Sequence, residues 1–184
     1  MISTLVTHPH PGLRERCGPV SDFGPYLAEA ASQMAELMSS SHGAGIAAPQ
    51  VGWLQRVCLV ETRRGLLVLV NPRISAHGPE IELGEEGCLS IPGVFGTVAR
   101  RRWVEIETQD LEGQRRHLRL EGFEARVAQH EIDHLDGILF IERLDAAERR
   151  RIRSSGAAGI RLMTPRSDLH DPTPAAILGS RGAA

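Results

Sequence analysis

The segment Phe123-Glu124-Ala125-Arg126-Val127-Ala128-Gln129-His130-Glu131-Ile132-Asp133-His134-Leu135-Asp136-Gly137 decides how the rest of the chain is read. Phe123, Val127 and Ile132 recur at helical spacing, and Gly137 stands where a left-handed C-terminal cap would end the helix. Inside it, His130-Glu131-Ile132-Asp133-His134 is an HExxH motif. On a helix the i and i+4 imidazoles lie on one face about a turn apart, able to grip one ion, with Glu131 beside them as a candidate base. Two helical histidines alone fit a surface or a satisfied core equally well, so the motif calls for a third ligand.

Glu86-Gly87-Cys88-Leu89-Ser90 offers one, a cysteine in a glycine-containing turn before Ile91-Pro92, which is expected to end any regular element. Alone, Cys88 would read as a small buried hydrophobe. Paired with HExxH it becomes a thiolate ligand, and two imidazoles plus one thiolate leave the fourth tetrahedral position open, as in a catalytic site. A third segment, Gly43-Ala44-Gly45-Ile46-Ala47-Ala48-Pro49-Gln50, is too small and apolar for an ordinary solvated loop. Taken alone it is a tight turn packed on the core. Beside a metal, its glycines let backbone approach a substrate, and Gln50 can donate an amide hydrogen bond to a developing oxyanion.

Around these segments the pattern predicts a first helix near 25–39, from the start signal of Asp22 and Pro25 and the spacing of Leu27, Ala31, Met34 and Met38. A hairpin is expected from Arg56 to Glu61 and Leu66 to Asn71, and a second from Thr97 to Gln109 and Arg115 to Leu120. Ile138 to Ile141 reads as a buried strand, and Asp145 with Glu148 as a capping-box-like start of a short helix. The expected fold is α+β, with short antiparallel strands packed around a central helix that carries HExxH. Residues 1–153 form one catalytic domain. Residues 154–184, rich in Gly, Ala, Ser and Pro, read as a loosely ordered tail.

The chain has 184 residues, 41% of them hydrophobic, and a formal charge of -2. That fits one core-forming domain. All 21 basic residues are arginine, so a Walker-type phosphate loop and Schiff-base catalysis are excluded. Two Trp, one Tyr and four Phe leave little for base stacking, and no nucleic-acid motif is present. The Arg100 to Arg102 and Arg149 to Arg151 runs read as solvated surface or ion pairing. No signal peptide or membrane span is visible, and three widely spaced cysteines suit a reducing compartment, so a cytoplasmic location is expected. Cys17 and Cys58 read as ordinary buried thiols.

The three segments, in this order and with these separations, closely resemble the peptide deformylase signatures GxGxAAPQ, EGCLS and QHExDH. Gln129, Asp133 and the trailing Leu135-Asp136-Gly137 complete the match, which runs from about His8-Pro9 through Arg143-Leu144. Two departures are visible. Ile46 stands where leucine is usual, and Gly93-Val94-Phe95 replaces a segment that in some members carries a substrate-facing arginine.

The resemblance implies removal of the N-formyl group from the formyl-methionine of nascent peptides, with the ribosome as a possible place of encounter. It implies Cys88, His130 and His134 as metal ligands and Fe(II) as the native ion, although these donor types suit zinc, nickel and cobalt as well. Glu131 would act as base and acid, while Gln50 and the Leu89 backbone N–H hold the oxyanion. Gly45 would align the peptide as an added strand, with Val127 near the methionine side chain. Glu86, Arg100 and Asp133 are candidates for orienting the ligands. Two other readings compete. A HExxH metalloprotease would take a third ligand beyond the helix, where only Glu142 and His170 stand; a closed metal-binding domain would need a fourth protein ligand, for which His42 and His117 are the only extras by type.

Overall fold

The structure, a computed structural model, describes residues 4–154. The tail expected beyond the catalytic domain therefore lies, from residue 155 on, outside the described residues, as does His170. Helix α1 (Pro25–Ser40) begins with proline in its first turn, where the missing N–H costs nothing, and buries Leu27, Ala30, Ala31, Met34 and Met38 along one stripe. Strands β1 (Gly45–Ala47), β2 (Val57–Thr62), β3 (Gly65–His77), β6 (Trp103–Gln109) and β7 (Arg115–Glu121) form an antiparallel sheet in the order β1-β2-β3-β6-β7. Strands β4 (Ile81–Cys88) and β5 (Ile91–Arg101) make a separate two-stranded sheet. Antiparallel sheets with interspersed helices make this an α+β fold.

Helix α2 (Gly122–Leu135) lies between the two sheets, touching β1, β2 and β7 of the larger and β5 of the smaller. Nearly all of it is buried, which matches a sequence whose polar residues are not confined to one stripe. On one side Ala125, Ala128 and Ile132 enter an apolar cluster with Cys58, Val60 and Leu69 of β2 and β3 and Val104 and Ile106 of β6. The helix ends as its sequence indicates, with Gly137 at φ 72°, a left-handed residue pressed against the Arg14 backbone where a side chain would collide.

Three expectations need correction. Ile138 to Ile141 is not a strand: Leu139 caps a short helix α3 (Phe140–Arg143), and Phe140, Ile141 and Leu144 pack on Ile91, Val94 and Val98 of β5. A four-residue apolar run carries no period, and here tertiary burial decided for helix. The second hairpin is shorter than expected, because Thr97 to Arg101 belongs to β5 and the chain changes sheets at Arg102. Finally, Ile91-Pro92 starts a strand instead of ending one. Both strands of a two-stranded sheet are edges, so proline's missing donor is tolerated there. The capping start at Asp145 is present in half: the Glu148 N–H donates to Asp145 Oδ1 at 2.8 Å, opening α4 (Ala146–Ser154), while the Glu148 carboxylate turns to Thr97 N and Arg151.

Candidate active site

Cys88 sits at the end of β4, where the register shifts after Gly87, and HExxH lies in the last two turns of α2. The shift turns the sulfur toward the helix. Ligand atoms of Cys88, His130 and His134 all lie within 4.8 Å of one another, with Cys88 Sγ 3.2 Å from His134 Nε2. Metal bonds to these donors run about 2.0 to 2.3 Å, so one ion bridges such a span, and a soft thiolate with two imidazoles is a donor set for a first-row transition metal. Burial would raise the Cys88 thiol, but the charge of His134 and hydrogen bonds from both histidines bring it down to about 5, so it is poised as the thiolate. Cys17 is pushed up to about 11 by burial and Cys58 well above its ordinary value, so these two are inert packing residues. His42 lines the same cleft but lies outside the cluster, and His117 sits on the exposed strand β7 beside Glu105.

The ligands are held from behind by charge. His130 Nδ1 bonds Glu86 Oε2 at 3.0 Å, which leaves Nε2 for the cluster. Arg100 then forks: Nε and Nη2 hold both oxygens of Glu86 at 2.9 and 3.0 Å, and Nη1 holds Asp133 Oδ2 at 2.5 Å. Arg143 grips Asp133 through two further bonds, and Arg126 Nη1 reaches Glu86 Oε1 at 2.9 Å. Of the two readings of that run, solvated surface or ion pairing, Arg100 takes the second, buried and paired with two carboxylates. Burial alone would raise Glu86, but Arg100 and the His130 hydrogen bond hold it well below the usual carboxylate range; Arg100 and Arg143 likewise lower Asp133 against its burial.

Glu131 lies on the other side of His130, buried, with Oε2 unpartnered among the described residues. Burial raises its carboxyl to about 7 against the opposing charges of His130 and His134. It faces β1. A side chain on Gly45 would fall 2.5 Å from Glu131 Oε1 and 2.7 Å from Val127, so only glycine lets the strand pass so close to the helix. The Glu61 N–H bonds the Ala44 carbonyl, which makes Ala44 and Ile46 the positions bonded to β2 and turns Gly45 and Ala47 the other way. Ala47 N–H is taken by Gln50 Oε1 at 2.7 Å, and that bond aims Gln50 Nε2 at Cys88 Sγ, 3.5 Å away, and at Ser90 Oγ, 3.3 Å away.

These groups open into a cleft of about 450 Å³ between α2, β1 and the β4–β5 sheet, bordered by Gly45, Gln50, Leu89, Val127 and Glu131. It is mostly apolar, with a few convergent polar groups at one end. Sequence reasoning missed Arg126, Arg143 and Ser90. For Arg126 a signal existed, since it precedes His130 by one helical turn; Arg143 reaches Asp133 only because the chain turns back after α2, and Gln50, the partner of Ser90, lies 40 residues away.

Comparison with known proteins agrees with this arrangement. Residues 2–150 match the polypeptide deformylase family. The chain is 42% identical over 148 residues to a peptide deformylase of Desulforudis audaxviator, covering 80% of this chain and 96% of that one. Among solved structures it resembles a peptide deformylase of Synechococcus elongatus in complex with actinonin, at TM-score 0.83 and 34% identity over 89% of this chain and 90% of that one. A peptide deformylase of Thermotoga maritima superposes at TM-score 0.77 with 38% identity, over 79% of this chain and 99% of the other. A match spanning both sheets and the helix between them leaves no part of the cleft outside it, and the chain belongs to the polypeptide deformylase family, metallohydrolases that remove the N-formyl group from nascent peptides.

Proposed function

We propose that Cys88, His130 and His134 hold one divalent ion, Fe(II) in the native protein, and that Glu131 moves the protons of deformylation. The single observation carrying this reading is the approach of one thiolate and two imidazoles within 4.8 Å beside a buried carboxylate. A metal with an open position supplies a Lewis acid and a water acidic enough to react near neutral pH. The chain does the rest. Glu131 would take a proton from the attacking water as its oxygen bonds the formyl carbon, and would return it to the amine nitrogen as the C–N bond breaks to give formate; its burial favours such exchange near neutrality. Gln50 Nε2 and the Leu89 backbone N–H donate to the oxygen that gains charge. Gly45, with its backbone turned out of the sheet, pairs with the peptide as with another strand, and Val127 borders the methionine side chain.

The N-formylated substrate would be met as it leaves the ribosome, in the cytoplasm. None of the described helices is long and apolar enough to cross a membrane. Both competing readings lose ground: Glu142 pairs with Arg14, away from the cluster, and no fourth ligand joins the three among the described residues.

Glu131→Gln tests the assignment. It keeps shape and ligands, so metal content should stay near wild type while turnover of formyl-Met-Ala-Ser falls by about 10² to 10⁴. Retention of metal together with half the wild-type rate would overturn the role of Glu131. Cys88→Ala should lose the metal whereas Cys17→Ala and Cys58→Ala keep it; equal metal in all three would overturn the ligand assignment. Iron is tested by air: the Fe(II) enzyme should inactivate faster than the nickel form, and equal half-lives would count against it.

A further inference from the structure

The two oxyanion donors stand on segments that belong to different sheets. Gln50 lies in a one-turn 3-10 helix (Ala48–Val51) that follows β1, whereas Leu89 and Ser90 form the turn between β4 and β5. Among the described residues no strand pairing joins the two sheets, so the gap between the donors depends on what crosses it. Gln50 and Ser90 are both buried, and the side-chain link between them, Nε2 to Oγ, is long at 3.3 Å.

Shorter bonds cross the gap through the backbone of the N-terminal segment. The Val6 N–H donates to the Gln50 carbonyl at 2.7 Å, and the His8 N–H donates to the Ser90 carbonyl at 2.8 Å. Residues two apart present their N–H groups on one edge of an extended chain, about 6.6 Å from each other at about 3.3 Å per residue. Thr7 between them is exposed, and its N–H makes no backbone bond among the described residues. The Val6 side chain packs on the apolar cluster of Leu13, Ile91 and Val94, which seats the segment on β5. Gln50 is thereby fixed at two points, its carbonyl by Val6 and its carboxamide by the Ala47 N–H. Any shift of its backbone relative to Ser90 is delivered to Nε2.

We propose that the N–H groups of Val6 and His8 form a positioning strap that sets the spacing of the two oxyanion donors, Gln50 Nε2 and the Leu89 N–H. The inference rests on the deformylase reading of the cleft. Neither residue borders the cleft; both act through the carbonyls they hold. Donors to a developing charge are effective because they are already in place, and a displaced one forfeits part of the roughly 10²- to 10³-fold that such a donor contributes to kcat. The backbone of Gly45 and the side chain of Val127 are untouched by the strap, so substrate binding should survive its loss.

The test removes the strap's donors one at a time in the nickel-loaded full chain, with formyl-Met-Ala-Ser as substrate. Val6→Pro and His8→Pro should each lower kcat about tenfold and leave KM within about twofold, with metal content unchanged. Thr7→Pro puts the same ring into the segment without removing either bond, and its kcat should stay within about twofold of wild type. Where a lowered thermal midpoint shows that proline disturbs folding, replacing Val6 by its α-hydroxy acid exchanges only the N–H for an ester oxygen, and kcat should fall by the same order. In a Gln50→Ala background Val6→Pro should cost less than about twofold, because the strap has no carboxamide left to place. A readout free of metal and turnover is the exchange of the Gln50 side-chain amide with water, followed by NMR in the metal-free chain. It should quicken in Val6→Pro and not in Thr7→Pro. Unchanged kcat in both the proline and the ester variants, an equal loss in Thr7→Pro, full additivity with Gln50→Ala, or unaltered amide exchange would each overturn the strap. Absence of formate release from the wild type would instead overturn the deformylase reading, so the two failures are distinguishable.

Discussion

The two sides of α2 are built from opposite materials. Toward the five-stranded sheet, Ala125, Ala128 and Ile132 meet Cys58, Val60, Leu69, Val104 and Ile106 in an apolar contact. Toward the two-stranded sheet, Arg100, Arg126 and Arg143 thread between Glu86 and Asp133, all of them shielded from water or nearly so. Apolar packing is non-directional, so it holds the helix in place without dictating the angle of any one side chain. Forked guanidinium pairs are directional, and here they end on Glu86, which orients His130. One side supplies adhesion and the other alignment, and the metal ligands stand at their seam.

Arg100→Met should break the alignment side with the largest loss. It leaves Glu86 to Arg126 and His130, and Asp133 to Arg143 alone, each short of a buried partner; such a loss costs up to about 3 to 5 kcal/mol and should also weaken metal binding by about 10- to 100-fold. A metal titration that shows unchanged affinity would mean Glu86 holds His130 without its arginine. Leu69→Ala attacks the adhesion side, where a fully buried leucine is cut back. About 2 to 5 kcal/mol should be lost in denaturant unfolding, while metal affinity at folded concentrations stays the same. If both variants lost affinity alike, the division of labour would fail.

Acid sharpens the same contrast in the metal-free protein. Glu86 and Asp133 have folded pKa values below their unfolded ones of about 4.3 and 3.9, so their contribution is full above those values and is lost as pH falls through the folded ones. Glu131 has the opposite sign: raised to about 7, it stays protonated in the fold while the unfolded chain ionises, so stability declines as pH rises from about 4 toward 7. Unfolding midpoints across pH should therefore peak in the weakly acidic range. Glu131→Gln should flatten the decline above the peak, and Arg100→Met the loss below it. A variant with neither change would place the titrating groups elsewhere. The smallest effect is expected far from the seam, at the α4 cap: Asp145→Ala removes the bond to the Glu148 N–H and should cost about 1 kcal/mol without touching metal content. A metal loss there would tie α4 to the alignment side.

How much of this could be read from the chain alone depends on the range of each interaction. The helix of HExxH was legible because its start, period and glycine stop are local, as were α1 and the β2–β3 hairpin. Strand β4 was not, since Glu82, Gly84, Glu85, Glu86 and Gly87 are poor strand formers held there by pairing with β5. The glycines have reasons visible only in three dimensions: the Arg126 guanidinium lies against Gly84, and the Phe95 ring against Gly87. At the site, the segments that approach one another could be named through motifs, and Glu86, Arg100 and Asp133 could be suspected. That one guanidinium bridges the two carboxylates could not, because residues 33 and 14 positions apart share it.

The bond from the Ala47 N–H to Gln50 Oε1 has a consequence for how molecules of this protein behave toward each other. Strand β1 is one of the two edges of the five-stranded sheet, β7 being the other, and an open edge invites pairing with the edge of another copy. At three residues it offers little to pair with, and one of its two outward positions is already occupied by the protein's own side chain. The remaining outward position, Gly45, lies inside the cleft against Glu131 and Val127, where a peptide end can reach but a second folded sheet cannot bring its edge flush. The same amide that faces Cys88 therefore guards the edge against self-association, leaving it open to one strand at a time.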